Sequence, residues 1–236
     1  TSVARQIKEM GMVPVARVHA FRDDMATHFN RGLAVGYFDT GTMWLDNAPE
    51  LGGRAWLNPY SSQARQYVTD LAVELTRAGF GAVVLDSVQF PSGVGLNKTG
   101  YGTEAVGTHA EVLSAFLRTT ESAVQAAGGE ALLYLHADSI ASSEQNWLYG
   151  GMPTALAGQR AMLGVPFDTP VDQVGSVMSS AVSQTSETDW ILLCPAYSAD
   201  GTVPALGEVN SRLEAAKQAG AVGSLLYNPQ GNYRLN

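Results

Sequence analysis

The segment at residues 83–92, "VVLDSVQFPS", is an apolar run that ends abruptly in an acid. Val83, Val84 and Leu85 are the residue types that predict a buried strand. Asp86 follows at once, and Pro91 closes the segment because proline cannot donate to a strand ladder. The segment therefore predicts a buried strand that presents a carboxylate at the point where it reaches the surface.

Short apolar runs of this kind alternate with amphipathic helical segments along the whole chain. Alternation of strands and helices produces right-handed βαβ units and a parallel sheet. A (β/α)8 barrel is favoured over a doubly wound sheet because no glycine-rich phosphate-binding turn follows the first strand. Such a barrel typically has about 250 residues, slightly more than the 236 present. Strands are predicted near 13–20, 81–86, 131–137, 190–196 and 222–227, with a weaker sixth near 161–166.

The chain is predicted to form one domain, residues 1–236, because no charge run, low-complexity tract or Pro/Ser linker divides it. A connection at about 22–61 is far longer than usual and is predicted to be a functional excursion. Its Trp44 and Trp56 offer flat aromatic faces beside polar groups, which is what sugar rings require. A loop folded over its own aromatic core explains the same residues, and both interpretations stay open.

The composition excludes some classes of partner. Acids outnumber bases 22 to 14, for a net charge of −8, whereas nucleic acid requires a basic surface. No apolar stretch approaches the ~20 residues of a membrane span. Cys194 is the single cysteine, and its apolar surroundings favour a buried structural thiol over a nucleophile. The chain begins without Met or a signal-like region, so we expect a trimmed piece of a longer protein, whose export signal could be missing.

Polar side chains follow the predicted strands. The carboxyl ends of parallel strands form one face, where ligands bind, so these side chains are predicted to converge. Two carboxylates that face a cleft suit glycoside hydrolysis, in which one is protonated and the other ionised. For any single acid, capping of a helix or pairing with arginine is the alternative. The strand-end residues are Asp23, Asp86, Asp138, Tyr197 and Asn228.

Metal and serine chemistry have weaker signals. His19 and His136 lie near acids at strand ends, so a divalent ion is conceivable, but a hydrogen-bonding role is favoured. No HxH or HExxH pair and no GxSxG motif occurs in the chain. We therefore expect neither a metal ion nor a cofactor.

Three segments resemble a bacterial glycoside hydrolase family related to α-amylase-type barrels. That family reads approximately "ARIVVFKD", "WVNP" and "GFDEIQFDYIRFP" at the corresponding places. The likeness covers most of residues 10–93 and resumes at 133–139 and 222–233. The segments are "GMVPVARVHAFRDD" (11–24), "WLNPYSSQARQYVTDLAVELTRAGFGAVVLDSVQFPS" (56–92) and "LHADS" (135–139).

The resemblance implies a (β/α)8 barrel with its catalytic residues at two strand ends. Asp86 falls on the fourth strand, where amylase-type enzymes place the nucleophile, and Asp138 falls at the fifth strand end, where they place the general acid. Arg17 and Asp23 match the family's "AR…KD", and Asn58 matches "WVNP". Arg17 would hold Asp86 ionised.

The sequence departs from the family pattern in two ways. Ser87 and Gln89 replace an aromatic residue and an arginine, which removes a charge near Asp86 and puts activity in doubt. Family members also carry two strands before the "AR" strand, whereas this chain begins one helix earlier. The barrel is therefore expected to be incomplete, truncated at its N-terminal strands, or completed by strands from elsewhere.

These patterns predict a secreted bacterial glycosidase that acts on a poly- or oligosaccharide of the cell envelope or the environment. Two alternatives are a non-catalytic carbohydrate-binding barrel and a metal-dependent hydrolase, such as a deacetylase, that uses His19, His136 and the acids. No pattern sets an oligomeric state. The predicted catalytic residues are Asp86 and Asp138, and the predicted substrate-binding residues are Arg17, His19, Asp23, Trp44, Trp56, Asn58, Gln89, His136, Tyr197 and Asn228.

Overall fold

The computed structural model describes residues 2–141, 146–197 and 200–228. The chain divides into two compact units. The first contains Thr1–Leu132 and Trp147–Gly151, and the second contains Leu133–Asn146 and Met152–Asn236.

The first unit contains two parallel strands, a small antiparallel pair and the helices that follow them. Within the long connection predicted at 22–61 lie one short helix, two 3-10 turns and one strand of the antiparallel pair. The elements are α1 (Ser2–Glu9), β1 (Val15–His19), α2 (Asp24–Phe29), β2 (Gly36–Tyr37), α3 (Ser62–Arg77), β3 (Ala82–Asp86), β4 (Thr99–Gly100) and α4 (His109–Ala126).

Strands β1 and β3 form the parallel pair that positions Asp86. All five residues of β3 are buried, as the apolar run predicted. The register places Val15 opposite Ala82 and His19 opposite Asp86. Side chains two apart on a strand share a face, so Arg17 and His19 point to the same side of β1. The first parallel strand therefore carries a cation and an imidazole to the strand end where the carboxylate lies.

Helices α3 and α4 pack on one another, and each begins at a side-chain cap. Ser61 caps α3, whereas Thr108 and Glu111 form a reciprocal capping box on α4, as the sequence pattern S/T-x-x-E predicts. Between the helices, the buried hydroxyls of Thr69 and Thr120 hydrogen-bond at 2.8 Å. These contacts fix the start of each helix directly after the loops that carry the polar residues.

The second unit contains four parallel strands in the order β5, β6, β7, β8. The first three residues of β5 belong to the first unit. Helices α6 and α7 pack against each other. The elements are β5 (Glu130–His136), α5 (Ala137–Ala141), β6 (Arg160–Gly164), α6 (Val171–Gln184), β7 (Asp189–Pro195), α7 (Leu206–Gln218) and β8 (Gly223–Tyr227).

The core of the second unit explains three residues of its sequence. Trp190 is fully buried and donates its indole N–H to Thr185 at 3.1 Å. Gly164 lies where a Cβ would overlap the hydroxyl end of Tyr134, so a side chain there would require the Tyr134 ring to move. Cys194 is also fully buried, and burial raises the pKa of its thiol to about 11. The prediction that Cys194 is a buried structural thiol is confirmed.

Each of the six predicted parallel strands is present within about two residues of its predicted bounds. The alternation of strands and helices is confirmed in both units, and all six strands pair in parallel. Among the described residues, no helix is long and apolar enough to cross a membrane.

Candidate active site

Asp86 forms an ion pair with Arg17 at the carboxyl end of β3. Both Nε and Nη2 of Arg17 donate to Oδ2 of Asp86, at 3.1 and 2.6 Å. The side chains are 12% exposed for Asp86 and 29% for Arg17, so water reaches the pair only in part. Charge-assisted hydrogen bonds of this kind hold a carboxylate in one orientation.

Ser87 holds the other oxygen of Asp86 from a strained backbone position. Its φ of 56° lies in the left-handed region that non-glycine residues rarely adopt. The Ser87 hydroxyl donates to Oδ1 of Asp86 at 3.2 Å and lies 3.2 Å from Nδ1 of His19. The backbone N–H of Phe21 donates to the carbonyl of Ser87, which helps to maintain this conformation. Strain of this kind is concentrated at functional sites.

A polar pocket of about 400 Å³ lies directly beyond these residues. Gln89 is fixed in its wall because the Tyr149 hydroxyl donates to its Oε1 at 2.8 Å. The amide nitrogen of Gln89 is then the end that remains to serve as a donor. The lining residues are Arg22, Asp46, Asn47, Leu51, Gly52, Trp56, Ser87, Gln89 and Ser92.

Asp46 organises the far side of this pocket. Its Oδ2 accepts from the indole N–H of Trp56 at 3.0 Å, and its Oδ1 accepts from the backbone of Arg54 at 2.7 Å. The Arg22 guanidinium lies 3.4 Å from Asp46 and 5.7 Å from the centroid of the Trp56 ring. Trp56 is only 4% exposed, so it contributes an edge to the pocket rather than an open face.

The other predicted tryptophan, Trp44, has no exposed surface. It is fully buried and donates its indole N–H to the carbonyl of Val94 at 2.9 Å. A ring without an open face offers nothing for a sugar to stack on, so the predicted substrate-binding role does not fit Trp44. The alternative stated for the long connection, a loop folded over its own aromatic core, describes this residue.

Two more predicted substrate-binding residues support local structure in the first unit. Asp23 caps α2 through the N–H of Ala26 at 3.0 Å and accepts from the Tyr67 hydroxyl at 3.0 Å. Burial and the neighbouring Asp23 raise the pKa of Tyr67 to about 12. Asn58 is 8% exposed and uses both ends of its amide, which makes it a poor ligand for a sugar. Helix capping, the alternative stated for a single acid, applies to Asp23.

Asp23 also lines a second cavity of the first unit, of about 590 Å³. His19 and Arg22 lie in its wall, and Nδ1 of His19 is 3.4 Å from Oδ2 of Asp86, so one side of this cavity is close to Asp86. Asp24 in the same wall is paired with Arg54 at 3.2 Å. The acids of this cavity are thus bound to neighbouring groups.

In the second unit, Asp138 lies in the first turn of α5, directly after β5. Its side chain is 84% exposed, and its Oδ2 lies 3.1 Å from Nδ1 of His136. This contact agrees with the hydrogen-bonding role that was favoured for His136. Asp138 is open to water, in contrast to Asp86 in the first unit.

Tyr197 and Asn228 follow the last two strands of the second unit. The Asn228 amide donates to the carbonyl of Ala196 at 2.7 Å, which ties the two strand ends together. The Tyr197 ring lies between Phe167 at 5.7 Å and Tyr227 at 6.4 Å. The aromatic partners of Tyr197 were not identified from the sequence.

Residues 1–133 match the family described as "Putative glycosyl hydrolase domain". The chain belongs to this family. The match covers more than half of the 236 residues and includes β1, β3 and Asp86. No curated protein sequence matches the chain. The predicted resemblance to a glycoside hydrolase family is thus confirmed, whereas the relation to α-amylase-type barrels stays a prediction.

Solved structures show the fold of this family member. The PgaB (BpsB) glycoside hydrolase domain from Bordetella bronchiseptica is 15% identical, with a TM-score of 0.70 over 96% of this chain and 74% of that chain. Ega3 from Aspergillus fumigatus, in complex with galactosamine, is 16% identical, with a TM-score of 0.54 over 98% and 81%. The α-galactosidase TtGalA from Thermus thermophilus, in complex with p-nitrophenyl α-D-galactopyranoside, is 13% identical, with a TM-score of 0.56 over 97% and 46%.

The fold class predicted from the sequence is confirmed. The chain is an α/β protein of the (β/α)8 type with an incomplete set of parallel strands, six in the described residues. It spans 74% of the Bordetella domain and less than half of the α-galactosidase.

The part of the chain that the structure describes contains no set of side chains arranged as metal ligands. No group of three or more His, Cys, Asp and Glu side chains there is arranged to hold an ion. His19 and His136 each lie beside one acid, Asp86 and Asp138 respectively. The favoured interpretation of both histidines, hydrogen-bonding partners of acids, agrees with these contacts.

Proposed function

We propose that the protein cleaves glycosidic bonds of a poly- or oligosaccharide, with Asp86 as the nucleophile and Asp138 as the general acid and base. The observation that carries the proposal is the arrangement of Asp86 in a glycoside hydrolase family member. The carboxylate lies at the end of a buried strand, is paired with Arg17 and accepts a hydrogen bond from Ser87, which lines an open polar pocket.

The two oxygens of Asp86 have different roles in this mechanism. Oδ2 is held by two N–H groups of Arg17. Oδ1 accepts from the Ser87 hydroxyl at 3.2 Å, which is long for an O–H···O hydrogen bond. Oδ1 is therefore the oxygen that attacks the anomeric carbon. Its bond to the sugar forms as the glycosidic bond breaks, and the leaving oxygen takes the proton of Asp138.

The second step releases the sugar from Asp86. Asp138, now ionised, takes a proton from water, whose oxygen attacks the anomeric carbon and displaces the carboxylate. This order of steps retains the anomeric configuration. If Asp86 instead activates water as a base, the configuration inverts, and NMR of the first product formed distinguishes the two outcomes.

The polar pocket is proposed to hold the sugar beside Asp86. Arg22, Gln89 and Ser92 offer hydrogen-bond donors there, and donors suit hydroxyl and amide oxygens of sugars. Two of the similar structures were solved with galactosamine and with an α-galactoside, so galactose-configured sugars and amino sugars are the first substrates to test. Four further residues stay proposed substrate contacts: His19 in the first unit, and His136, Tyr197 and Asn228 in the second. Action in the cell envelope or outside the cell stays part of the proposal.

The test uses oligosaccharides of galactosamine and p-nitrophenyl α-D-galactopyranoside, and product release is measured for Asp86→Asn and Asp138→Asn. Asp86→Asn is expected to reduce hydrolysis to the rate without enzyme. Asp138→Asn is expected to lower kcat by about 10²–10⁴-fold, the usual contribution of general acid–base catalysis. A dinitrophenyl glycoside needs no acid for its leaving group, so Asp138→Asn should form its glycosyl-enzyme at the parent's rate. Asp39→Asn, at an exposed acid, is the control. Full hydrolysis by Asp86→Asn contradicts the assignment.

A second candidate is a carbohydrate-binding barrel without catalysis. The exposure of the Asp138 side chain, 84%, favours it, because a general acid usually acts where water is excluded. Calorimetric binding of galactosamine oligosaccharides without release of reducing ends would support this candidate over the first.

A further inference from the structure

Trp147 is the tryptophan of this chain whose ring is open to solvent. Trp44 and Trp190 are fully buried and Trp56 is 4% exposed, whereas Trp147 is 49% exposed. A single exposed aromatic residue is common on protein surfaces and by itself indicates no site. The position and the anchoring of Trp147 supply the further evidence.

The turn that carries Trp147, residues 147–151, is fastened to the first unit by three hydrogen bonds. The N–H of Phe90 donates to the carbonyl of Leu148 at 2.8 Å, and the Tyr149 hydroxyl donates to Gln89 at 2.8 Å. The carbonyl of Trp147 lies 2.7 Å from Nδ1 of His109. These bonds hold both the backbone and a side chain of the turn against the segment that follows Asp86.

Gly150 allows the turn to lie this close. Its φ of +73° is in the left-handed region, and a Cβ there would overlap the backbone nitrogen of Ala110. A side chain at position 150 would therefore push the turn away from the start of α4. The glycine at position 150 and the hydrogen bond to His109 thus both favour close packing of the turn on the start of α4.

The ring of Trp147 packs near two stacked rings, those of His109 and Phe90. His109 stacks on the buried Phe90 with ring centroids 3.5 Å apart and an angle of 8°. The Trp147 ring lies 5.8 Å from His109 at an angle of 51°. An exposed ring with a fixed support loses little side-chain entropy when a ligand stacks on it, which is the property of a good binding residue.

The turn is bonded to the wall of the polar pocket that Ser87, the residue after Asp86, also lines. Tyr149 bonds Gln89 in the pocket wall, and Trp147 is two residues before Tyr149, so their Cα atoms are at most about 7.6 Å apart. Trp147 therefore lies on the same short turn as the residue that is bonded to the pocket wall.

We propose that Trp147 is a sugar-stacking platform that binds a residue of the substrate next to the one in the pocket. The proposal rests on the proposed function, because the pocket beside Asp86 is taken to hold the sugar that is cleaved. It adds a second sugar-binding position to the proposed site, so oligo- and polysaccharides should bind more tightly than a monosaccharide.

The experiment compares Trp147→Ala with Trp147→Phe in an Asp86→Asn background, so that the ligand is not consumed. The probes are a galactosamine tetrasaccharide, a glucosamine tetrasaccharide and galactosamine itself, measured by calorimetry. Trp147→Ala is expected to weaken binding of the better tetrasaccharide about tenfold, the change that a loss of 1.4 kcal/mol produces. Trp147→Phe, which keeps an aromatic face, is expected to retain most of the affinity. Galactosamine alone should bind both variants equally.

Intrinsic fluorescence adds a readout that a structural role would not change. The tetrasaccharide should alter the emission of the parent more than that of Trp147→Phe. The change that remains in Trp147→Phe should equal the change that galactosamine alone produces, because Trp56 lines the pocket whereas Trp44 and Trp190 are fully buried. Phe38→Ala, at an aromatic residue that is 70% exposed, is the matched control and should bind as the parent does.

The possible results separate this proposal from the proposed function. Hydrolysis together with equal tetrasaccharide affinity in the parent and Trp147→Ala overturns the platform and leaves the glycosidase. Binding that depends on Trp147 without hydrolysis by the wild-type protein supports the platform and removes the glycosidase. A parent that binds neither tetrasaccharide overturns the platform as well.

Discussion

Replacement of Arg17 by methionine is expected to destabilise the protein by about 2–3 kcal/mol. A hydrogen bond to a charged group contributes about 1.5–3 kcal/mol, and loss of one partner from a fully buried ion pair costs about 3–5 kcal/mol. Arg17 makes two such bonds to Oδ2 of Asp86, but the side chains are 29% and 12% exposed, so water compensates for part of the loss. With a urea m-value of about 2–3 kcal/mol/M, the midpoint of unfolding should fall by about 1 M.

Equilibrium unfolding in urea, followed by circular dichroism, measures this effect against a matched control. Arg5 and Glu9 form an ion pair whose side chains are 74% and 67% exposed, and Arg5→Met should therefore change stability by less than about 0.5 kcal/mol. The double variant Arg17→Met/Asp86→Leu should recover much of the lost stability, since no unpaired carboxylate remains. If Arg17→Met shifts the midpoint no more than Arg5→Met does, the pair does not stabilise the strand end and the reasoning is refuted.

Two further predictions concern the turn that carries Trp147 and the support of α2. Gly150→Ala should lower the melting temperature by several degrees, whereas Gly151→Ala, whose Cβ would meet nothing within 4 Å, should leave it unchanged; equal melting temperatures would contradict the close contact. Tyr67, with its pKa raised from 10.0 to about 12, should ionise late in an absorbance titration at 295 nm. Its contribution to stability is complete below pH 10 and is lost as the pH rises towards 12, so Tyr67→Phe should resist alkaline unfolding better than the parent; equal resistance would count against the raised pKa.

The strands were predictable because their signal is local. A run such as Val83–Leu85 is buried on both faces in a parallel sheet, so composition alone marks it. The capping residues Thr108 and Glu111 likewise act within four residues of one another. The division of the chain into two compact units has no such local mark, and the single domain predicted for residues 1–236 stays a prediction.

The environment of the aromatic residues was not predictable, because residue type does not report exposure. Trp44 and Trp56 lie in the long connection that was expected to bind sugar, yet both are buried. Trp147 lies in an irregular region without periodicity, so nothing in the sequence singled it out. Its position depends on bonds to Gln89 and Phe90, almost 60 residues away, which no sequence spacing reveals.

The replacement of a family arginine by Gln89 has a different meaning in the structure than in the sequence. From the sequence, loss of that charge appeared to weaken Asp86 as a nucleophile. In the structure, Arg17 already supplies a cation to Asp86 through two hydrogen bonds to one oxygen. Gln89 bonds instead to Tyr149 and so helps to fix the turn that carries Trp147. Arg17 on the neighbouring strand therefore keeps a cation opposite Asp86, and Gln89 takes part in holding the turn instead.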